Sequence, residues 1–268
     1  MTASVIARVA DRLRARGATE SASVDRITVG DAVVLVELSD AAGLAHRPPG
    51  DVPPTDDIDI GRLLTWAMDD TAATPVRRAL GIATLNALSA PHVEWRTGDP
   101  MALLDPAVDR VTTVGLFRPA LRKFADVTVR VIERTPVGDV SAPAGVQVET
   151  FTPDETATAM AETEVVFLTG SAFVYGGAAR YLDAAPATAT LVVVGATASV
   201  LPGPLFDAGA DVVAGAAVED ATRVRTAVRR GACGTELHDA GVRKGYVAAD
   251  RADGVRLDAT DGVSHDTT

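Results

Sequence analysis

The sequence has little cysteine, little lysine and few aromatic residues. Its single cysteine, Cys233, excludes an internal disulfide and is typical of a reducing compartment, so we expect a cytoplasmic location. Lysine occurs only at Lys123 and Lys244, and aromatic residues make up 4% of the chain. The chain has no run of about 18 apolar residues, which excludes a helical membrane span and predicts no membrane partner.

Acidic residues outnumber basic ones, and the formal net charge is −11. Carboxylates keep a protein surface hydrated in salt, so one interpretation is a salt-adapted, halophilic-type acidic surface. The alternative is an ordinary acidic cytoplasmic protein. In both cases the negative field repels phosphate backbones, and we expect no nucleic-acid partner. The sequence leaves the oligomeric state open, a homo-oligomer included.

Residues 1–95 have the pattern of a small α+β domain. The predicted elements are a helix over 3–17, hairpin strands at Val24–Val29 and Ala32–Leu38, and helices over 60–68 and 75–88. Gly30 and Asp31 tolerate positive φ and therefore suit the hairpin turn. A loop rich in proline and glycine, which contains His46, is predicted for 41–59. The segment 91–106 is expected to connect this domain to the next one.

Residues 106–248 alternate strand and helix patterns, which predicts a Rossmann-like, doubly wound parallel sheet. The predicted strands are 111–117, 127–132, 146–148, 164–168, 191–194, 211–214 and an edge strand at 241–248. The apolar run at 164–168 has no polar face, so we expect it to be buried on both sides. Residues 249–268 lack apolar periodicity and predict a disordered acidic tail. The fold class is therefore α/β, with a smaller α+β domain in front.

Polar residues gather where the predicted parallel strands end. They are Arg118, Glu133, Arg134, Thr169, Gly170, Ser171 and the segment Gly195–Ser199, which includes Thr197. The carboxyl ends of parallel strands share one edge of the sheet, where open α/β sheets bind ligands. Ordinary loop and capping roles are the alternative for each position, because Ser, Thr and Gly favour loops and helix starts. The sequence thus predicts a binding cleft at this edge.

Glu133 is the most specific single candidate. An acidic residue at the end of the second strand is where Rossmann folds bind a ribose diol. The first strand exit lacks the GxGxxG glycines that a pyrophosphate requires, so the sequence favours an S-adenosylmethionine-like ligand over NAD. A salt bridge with Arg134 is the competing interpretation of Glu133. Arg118, at a predicted helix start, is suited to an anionic group.

Motifs for nucleophilic or metal-assisted catalysis are absent. Ser171 has no GxSxG context. Cys233 and His238 lie five residues apart in a glycine-containing loop without CxxC or HExxH spacing, so they are weak metal candidates. His46 and Glu133 are the other metal candidates, and an exposed loop histidine is the simpler interpretation of His46. The sequence does not decide whether the protein is an enzyme.

Several motifs, in this order, resemble those of a prokaryotic family. They are RRALGIATLNA at 77–87, VGLFRP at 114–119, VIERTP at 131–136, VFLTGSAFV at 166–174 and VVVGATASVLPGPLFDAGADVVAG at 192–215. On these motifs the chain resembles the DUF364 heavy-metal-chelation family with a DUF4213-type N-terminal domain. The resemblance extends from the first helix to about Val247.

The resemblance implies an enolase-N-terminal-like domain packed on the Rossmann-like domain, with a site between them. The residues at family-motif positions are Asn86, Gly115, Pro119, Glu133, Thr169, Gly170, Ser171, Gly195, Thr197, Ser199 and Pro202. Two positions depart from the family pattern, Arg118 and Ala196, where proline is common. Arg118 adds a cation that favours an anionic ligand or metal chelate.

Three hypotheses about function follow. The leading one is a cytoplasmic protein that binds a transition-metal ion or a small metal-chelating ligand in the interdomain cleft, through residues such as His46, Glu133 and Ser171. The second is an enzyme that uses a ribose-containing cofactor such as S-adenosylmethionine, with Glu133 on the diol. The third is a non-catalytic regulatory module with an exposed apolar patch and a blocked cleft.

Overall fold

The computed structural model describes residues 4–69, 73–249 and 252–257. Its helices are α1 (Val5–Ala15), α2 (Ile60–Met68), α3 (Pro75–Ser89), α4 (Arg118–Leu121), α5 (Thr156–Met160), α6 (Ser171–Tyr175), α7 (Ala178–Ala184), α8 (Gly203–Phe206), α9 (Ala221–Arg229) and α10 (Thr235–Asp239). Its strands are β1 (Val24–Val29), β2 (Val33–Leu38), β3 (Ala42–His46), β4 (Arg96–Thr97), β5 (Arg110–Val114), β6 (Thr128–Ile132), β7 (Gln147–Phe151), β8 (Val165–Thr169), β9 (Thr190–Val194), β10 (Val212–Val218) and β11 (Val242–Ala248). None of the helices in these ranges is long and apolar enough to cross a membrane.

The N-terminal part forms a small antiparallel sheet in the order β1-β2-β3. The hairpin of β1 and β2 is confirmed. The loop predicted for 41–59 is wrong at its start, because residues 42–46 form the third strand and pair with β2. Leu44 lies opposite Leu35, and both are buried. This burial provides the free energy that local sequence preference does not, and it fixes His46 at the end of a strand.

Helix α3 packs on this sheet at very short distance. It begins after Thr74, whose hydroxyl accepts a hydrogen bond from the backbone N–H of Arg77 (3.4 Å), and nearly all of its residues are buried. A Cβ atom at Gly43 would overlap the backbone of α3 at Ala83, and one at Gly81 would overlap the backbone of α2. Glycine at these two positions therefore permits the backbones to touch, as expected for the small residues of this helix.

The second sheet has eight strands in the order β4-β11-β10-β9-β8-β5-β6-β7. The six strands from β10 to β7 are parallel, while β11 and β4 pair antiparallel at one side. The chain runs outward from β5 to β6 and β7 and then returns to the other side of β5 for β8. The strand order thus reverses between β5 and β8, as in a doubly wound fold, and the α/β prediction is confirmed.

Strand β8 lies in the centre of the protein, as its apolar run predicts. Val165, Val166, Phe167 and Leu168 are all fully buried. Val166 and Leu168 share one hydrophobic cluster with α1, α2 and α3, while Val165 and Phe167 pack on the opposite side of the sheet. The small sheet and its helices therefore cover one face of the large sheet through a continuous core.

Two segments predicted to be irregular are ordered. The glycine-containing loop with Cys233 and His238 includes helix α10. Residues 252–257, which fall in the predicted tail, pack on the large sheet: Val255 pairs with Leu104, and the hydroxyl of Tyr246 donates to the carbonyl of Leu257 (3.1 Å). The two buried apolar side chains there, Val255 and Leu257, supply the contact that aperiodic sequence does not reveal. The rest of the tail from residue 258 lies outside the described residues.

Candidate functional site

Two cavities open at the carboxyl edge of the large sheet and meet at His46 and Phe117. The first, called here the polar cavity, measures about 260 Å³ and lies between the ends of β5, β6 and β8. Its lining includes His46, Gly115, Phe117, Glu133, Arg134, Thr169, Ser171, Tyr175 and Tyr181. The second, called the apolar cavity, measures about 470 Å³ and lies over the ends of β9 and β10. The polar cavity therefore occupies the point where the strand order reverses.

His46 is held at the junction by two contacts with the large domain. Its backbone N–H donates to Oγ1 of Thr197 (2.9 Å), and its Nε2 lies 3.0 Å from the hydroxyl of Tyr175. Burial and the positive charge of Arg134 both hold the pKa of His46 below its ordinary value. The imidazole is therefore neutral near pH 7, the form that accepts a proton or binds a metal.

Arg134 supplies the positive charge of the polar cavity. Its guanidinium lies 3.3 Å from the centroid of the Tyr175 ring, in cation–π contact. No carboxylate among the described residues lies within ion-pair distance of it, so its charge is directed to the cavity and to solvent. Nearby, burial raises the pKa of the Tyr181 hydroxyl, against the opposing charges of Arg180 and Arg134.

The carboxylate of Glu133 accepts hydrogen bonds from two backbone N–H groups. Oε1 accepts a hydrogen bond from the N–H of Leu116 (2.7 Å), and Oε2 accepts one from the N–H of Arg134 (3.3 Å). The expected salt bridge to the Arg134 side chain does not form, because that guanidinium lies on Tyr175. Glu133 thus joins the exits of β5 and β6, and its role toward a ribose diol stays a prediction.

The exit of β8 places two hydroxyls in the polar cavity. Oγ1 of Thr169 lies 3.1 Å from Oγ of Ser171 and accepts a hydrogen bond from the backbone N–H of Ser171 (3.3 Å). Gly115 packs directly on Thr169, because an added Cβ atom would lie 3.1 Å from its Cγ2, and the φ of +97° also favours glycine here. Ser171 has no histidine or carboxylate in hydrogen-bond contact among the described residues. The pair can donate to or accept from a ligand, but it lacks the base that a nucleophilic serine needs.

Three residues that the sequence singles out, Asn86, Gly170 and Ser199, contact the backbone next to the cavities and line neither of them. Asn86 is buried, and its Nδ2 lies 2.7 Å from the carbonyl oxygen of Leu44 and 3.2 Å from that of Thr197. Oγ of Ser199 donates to the carbonyl of Ala196 (2.8 Å), and the backbone at Gly170 packs closely on the segment 196–198. These residues position β3 and the exit of β9, and their contact with a ligand stays a prediction.

The remaining candidates divide between the apolar cavity and the surface. Pro119, Gly195 and Thr197 line the apolar cavity. Arg118, predicted to add a cation to the cleft, is exposed and lines neither cavity. The positive charge in the lining of the polar cavity therefore comes from Arg134, one strand further along the sheet.

The weak metal candidates do not assemble. Cys233 and His238 both line the apolar cavity, and Nδ1 of His238 lies 2.8 Å from the carbonyl oxygen of Val242, a contact that leaves Nε2 open to a ligand. Across the described residues, no three His, Cys, Asp or Glu side chains come together in a way that could hold a metal ion. A heavy-metal ion bound by protein ligands alone does not fit this donor set.

Charged residues at the outer wall of the apolar cavity form a compact cluster. Oδ2 of Asp99 accepts hydrogen bonds from Nζ of Lys123 (2.5 Å) and Nζ of Lys244 (2.8 Å). Burial by itself would raise the pKa of Asp99, but the hydrogen bonds and charges of the two lysines hold it below its ordinary value. Asp99 is therefore ionised at neutral pH.

Three cavity residues have a role that the sequence does not predict: Arg134, Tyr175 and Tyr181. The sequence places Arg134 among the polar strand ends and as a salt-bridge partner of Glu133, without the stacking on Tyr175, and it does not single out either tyrosine. Both tyrosines lie on short helices after β8: Tyr175 is the fourth residue after Ser171 and Tyr181 is the tenth. In a chain with only three tyrosines, this spacing after a strand exit is the one signal available.

Comparisons with known proteins identify the family. One family model, DUF364, matches residues 99–247, and a second, DUF4213, matches residues 11–89; both carry the description "Putative heavy-metal chelation". No curated protein matches the chain.

Two solved structures of DUF364 proteins, both of unknown function, have a similar fold. The protein from Pyrococcus horikoshii is 19% identical, with 92% of this chain and 100% of that chain covered and a TM-score of 0.75. The protein from Desulfitobacterium hafniense DCB-2 is 16% identical, with 89% and 97% covered and a TM-score of 0.70. Because the DUF364 model alone matches more than half of the residues, this chain belongs to the DUF364 family, with a DUF4213 region at its N-terminal side.

Proposed function

We propose that the polar cavity binds a small anionic molecule that chelates a heavy metal, either free or as the metal complex. The observation that carries this proposal is the guanidinium of Arg134, which lies on the Tyr175 ring beside His46 in a cavity without a cluster of metal ligands. The protein would thus handle the metal in chelated form, in keeping with the description of its family.

The charge of the cavity argues against a bare cation. Arg134 forms no ion pair with a described carboxylate, and the one carboxylate in the lining, Glu133, already accepts two backbone hydrogen bonds. A divalent cation in this place would find at most two good ligands beside a positively charged guanidinium, whereas proteins hold such ions with three or four. An anion with carboxylate groups instead gains charge-assisted hydrogen bonds from the guanidinium.

The other groups of the cavity suit a chelate. His46 offers one neutral imidazole, and a metal whose remaining ligands come from the chelator needs only one from the protein. Thr169 and Ser171 add hydroxyls that hydrogen-bond to carboxylate oxygens. The volume of about 260 Å³ is close to the lower range of small-ligand pockets and suits a compact molecule.

The proposal includes a domain division and a location. We place the boundary between the two domains in the segment after residue 95, with the second domain from 106 to 248. The gap between the matched regions, which end at 89 and begin again at 99, supports this division.

A cytoplasmic location and the lack of a nucleic-acid partner rest on the single cysteine and the net charge of −11.

Isothermal titration calorimetry with three probes tests the binding proposal: nitrilotriacetate, its nickel complex and nickel chloride. We expect the two anions to bind and nickel chloride to bind far more weakly. Arg134→Met should weaken both anions about tenfold, because one charge-assisted contact is lost from a partly exposed site. His46→Gln should weaken only the nickel complex.

Arg122→Met serves as the matched control, because it removes an exposed arginine that lines neither cavity. We expect its affinities to stay within about twofold of those of the original protein. Nickel chloride binding as tightly as the complex, or Arg134→Met leaving both anions unaffected, contradicts the proposal.

A further inference from the structure

The only two lysines of the chain meet at one carboxylate in the wall of the apolar cavity. Asp99, Lys123 and Lys244 all line this cavity, and the Nζ atoms lie 2.5 and 2.8 Å from the same Oδ2 of Asp99. They come from three distant places: the start of the 3-10 turn at Pro100–Ala102, the residues after α4, and β11. The fold therefore assembles this cluster from residues 24 and 145 positions apart from Asp99.

The cluster carries more positive than negative charge. Two ammonium groups face one carboxylate, whose other oxygen, Oδ1, accepts from the backbone N–H of Met101 (3.2 Å). Each ammonium has three N–H donors and uses one of them on Asp99, so donors remain for a further acceptor. One lysine would neutralise Asp99, and the second leaves a net charge of +1 at the cavity wall.

A purely structural ion pair explains this arrangement poorly. The side chains of Lys123 and Lys244 are 33% and 46% exposed, and ion pairs at such positions add little to the free energy of folding. The compact ammonium of lysine allows two cations on one oxygen atom, whereas planar guanidinium groups favour a bidentate contact with both oxygens. The rest of the chain uses arginine for its ion pairs, including the bidentate contact of Arg225 with Glu37.

The remainder of the cavity is largely apolar. Met101, Phe117, Val194 and Leu237 line it, and its volume of about 470 Å³ lies within the range of small-ligand pockets. Water is held weakly between such walls because it finds few hydrogen-bond partners, so an apolar ligand gains free energy by displacing it.

We propose that the apolar cavity is a second binding site, for an organic anion with an apolar body whose carboxylate or phosphate group is held by Lys123 and Lys244. The apolar walls bind the body and the two ammonium groups bind the anionic end. Asp99 keeps the two ammonium groups together before the ligand arrives, because it opposes their mutual repulsion. This inference does not depend on what the polar cavity binds.

Calorimetric titration of the full chain with three probes of one shape tests the proposal. The probes are 2-naphthoate, 2-naphthylmethanol and 2-naphthylmethylammonium, which share an apolar body and differ in charge. We expect naphthoate to bind at least about tenfold more tightly than the alcohol, and the ammonium to bind weakest. The advantage of naphthoate should shrink as sodium chloride is raised. Equal binding of acid and alcohol, or no binding of any probe, overturns the proposal without any substitution being required.

The double variant K123M/K244M tests whether the two lysines bind the anionic group of the probe. It keeps apolar stems in place and changes the charge of the cluster from +1 to −1, so the preference should reverse in favour of the ammonium probe. R122M/R229M, which removes two exposed arginines outside both cavities, is the charge-matched control and should keep the naphthoate preference within about twofold. Circular dichroism and a thermal melt check that each variant is folded.

Arg134→Met separates this site from the polar cavity. If naphthoate binding falls in Arg134→Met and not in K123M/K244M, the anion binds in the polar cavity and the second site is refuted. If naphthoate binding falls only in K123M/K244M, the second site stands, whatever the result with nitrilotriacetate.

Discussion

The polar cavity and the apolar cavity share His46 and Phe117, yet their walls carry charge in different ways. In the polar cavity, the charge of Arg134 is held against the face of an aromatic ring, and the nearby carboxylate of Glu133 is used by backbone N–H groups. In the apolar cavity, the charges sit together at the outer wall, where two lysines enclose Asp99. The first cavity mixes polar and apolar wall residues, whereas the second is largely apolar with a charged end.

One strand, β3, therefore borders two unlike sites. Its last residue, His46, donates its backbone N–H to Thr197 on the apolar side and approaches Tyr175 with its ring on the polar side. The small sheet therefore acts as a common wall, and its position relative to the large sheet sets the shape of both cavities. A substitution in the core should therefore distort both cavities or only one of them, depending on which contact it removes.

Gly43→Ala should have the largest effect, because it affects both cavities. A Cβ atom here would overlap the backbone of Ala83 and Ala87 in α3, so β3 must move away from its helix and take His46 with it. We expect the free energy of unfolding to fall by about 3 kcal/mol, the upper range for overpacked cores. Urea denaturation measures the change, and titration with nitrilotriacetate and 2-naphthoate should show weaker binding at both sites.

Gly138→Ala is the control for this prediction. A Cβ atom at Gly138 meets no atom within 4 Å, so stability should change by less than about 0.5 kcal/mol. A Gly43→Ala protein as stable as Gly138→Ala would show that the close contact of β3 and α3 does not position His46.

Arg78→Met should damage the polar cavity and leave the apolar cavity intact. Arg78 is buried, and its Nε and Nη2 donate to the carbonyl of Phe173 (3.2 and 2.6 Å), which fixes the helix that carries Ser171 and Tyr175. Without the guanidinium this carbonyl loses its charged donor, at a cost of roughly 2 kcal/mol in the free energy of unfolding. Binding of nitrilotriacetate should weaken, while binding of 2-naphthoate stays within about twofold.

Arg77→Met is the matched control one residue earlier. Its guanidinium lies 5.4 Å from the centroid of the Trp66 ring, so the loss should not exceed about 1 kcal/mol, and both ligands should bind as before. If Arg77→Met weakens nitrilotriacetate binding as strongly as Arg78→Met, the buried donor is not what holds the polar cavity.

The sequence predicted the part of the fold that local pattern encodes. The continuous apolar run of β8 and its Thr169–Ser171 exit identify a buried parallel strand and a cavity wall, since burial on both faces removes every polar position. Strand β3 is not predicted from the sequence, because Ala42–His46 has no β-branched residue and two prolines follow shortly after it. Its strand conformation depends on pairing with β2 and packing on α3, which are contacts between distant residues.

The site could be predicted only in outline. The predicted strand ends identified Gly115, Glu133 and Ser171 as cavity residues, because the topology brings the ends of parallel strands together. The stacking of Arg134 on Tyr175 and the cluster at Asp99 have no local signature, because their members are separated by 24 residues or more. Asn86 and Ser199 occupy family motifs, yet their contacts support the backbone behind the cavities. Family-motif positions therefore include cavity-lining residues, such as Glu133, as well as residues that support the backbone.

The smallest expected effect concerns the pH dependence of the shared residue. Burial and Arg134 hold the pKa of His46 below its ordinary value of 6.5, so the folded protein binds fewer protons than the unfolded chain as the pH falls below that value. The free energy of unfolding should therefore decrease from about pH 6.5 downward, until His46 is protonated in both states. In His46→Gln this component should disappear, and in Arg134→Met it should shrink. Thermal melts between pH 5 and 8 measure the effect. A His46→Gln profile that parallels that of the original protein would mean that the folded state does not lower the pKa of His46.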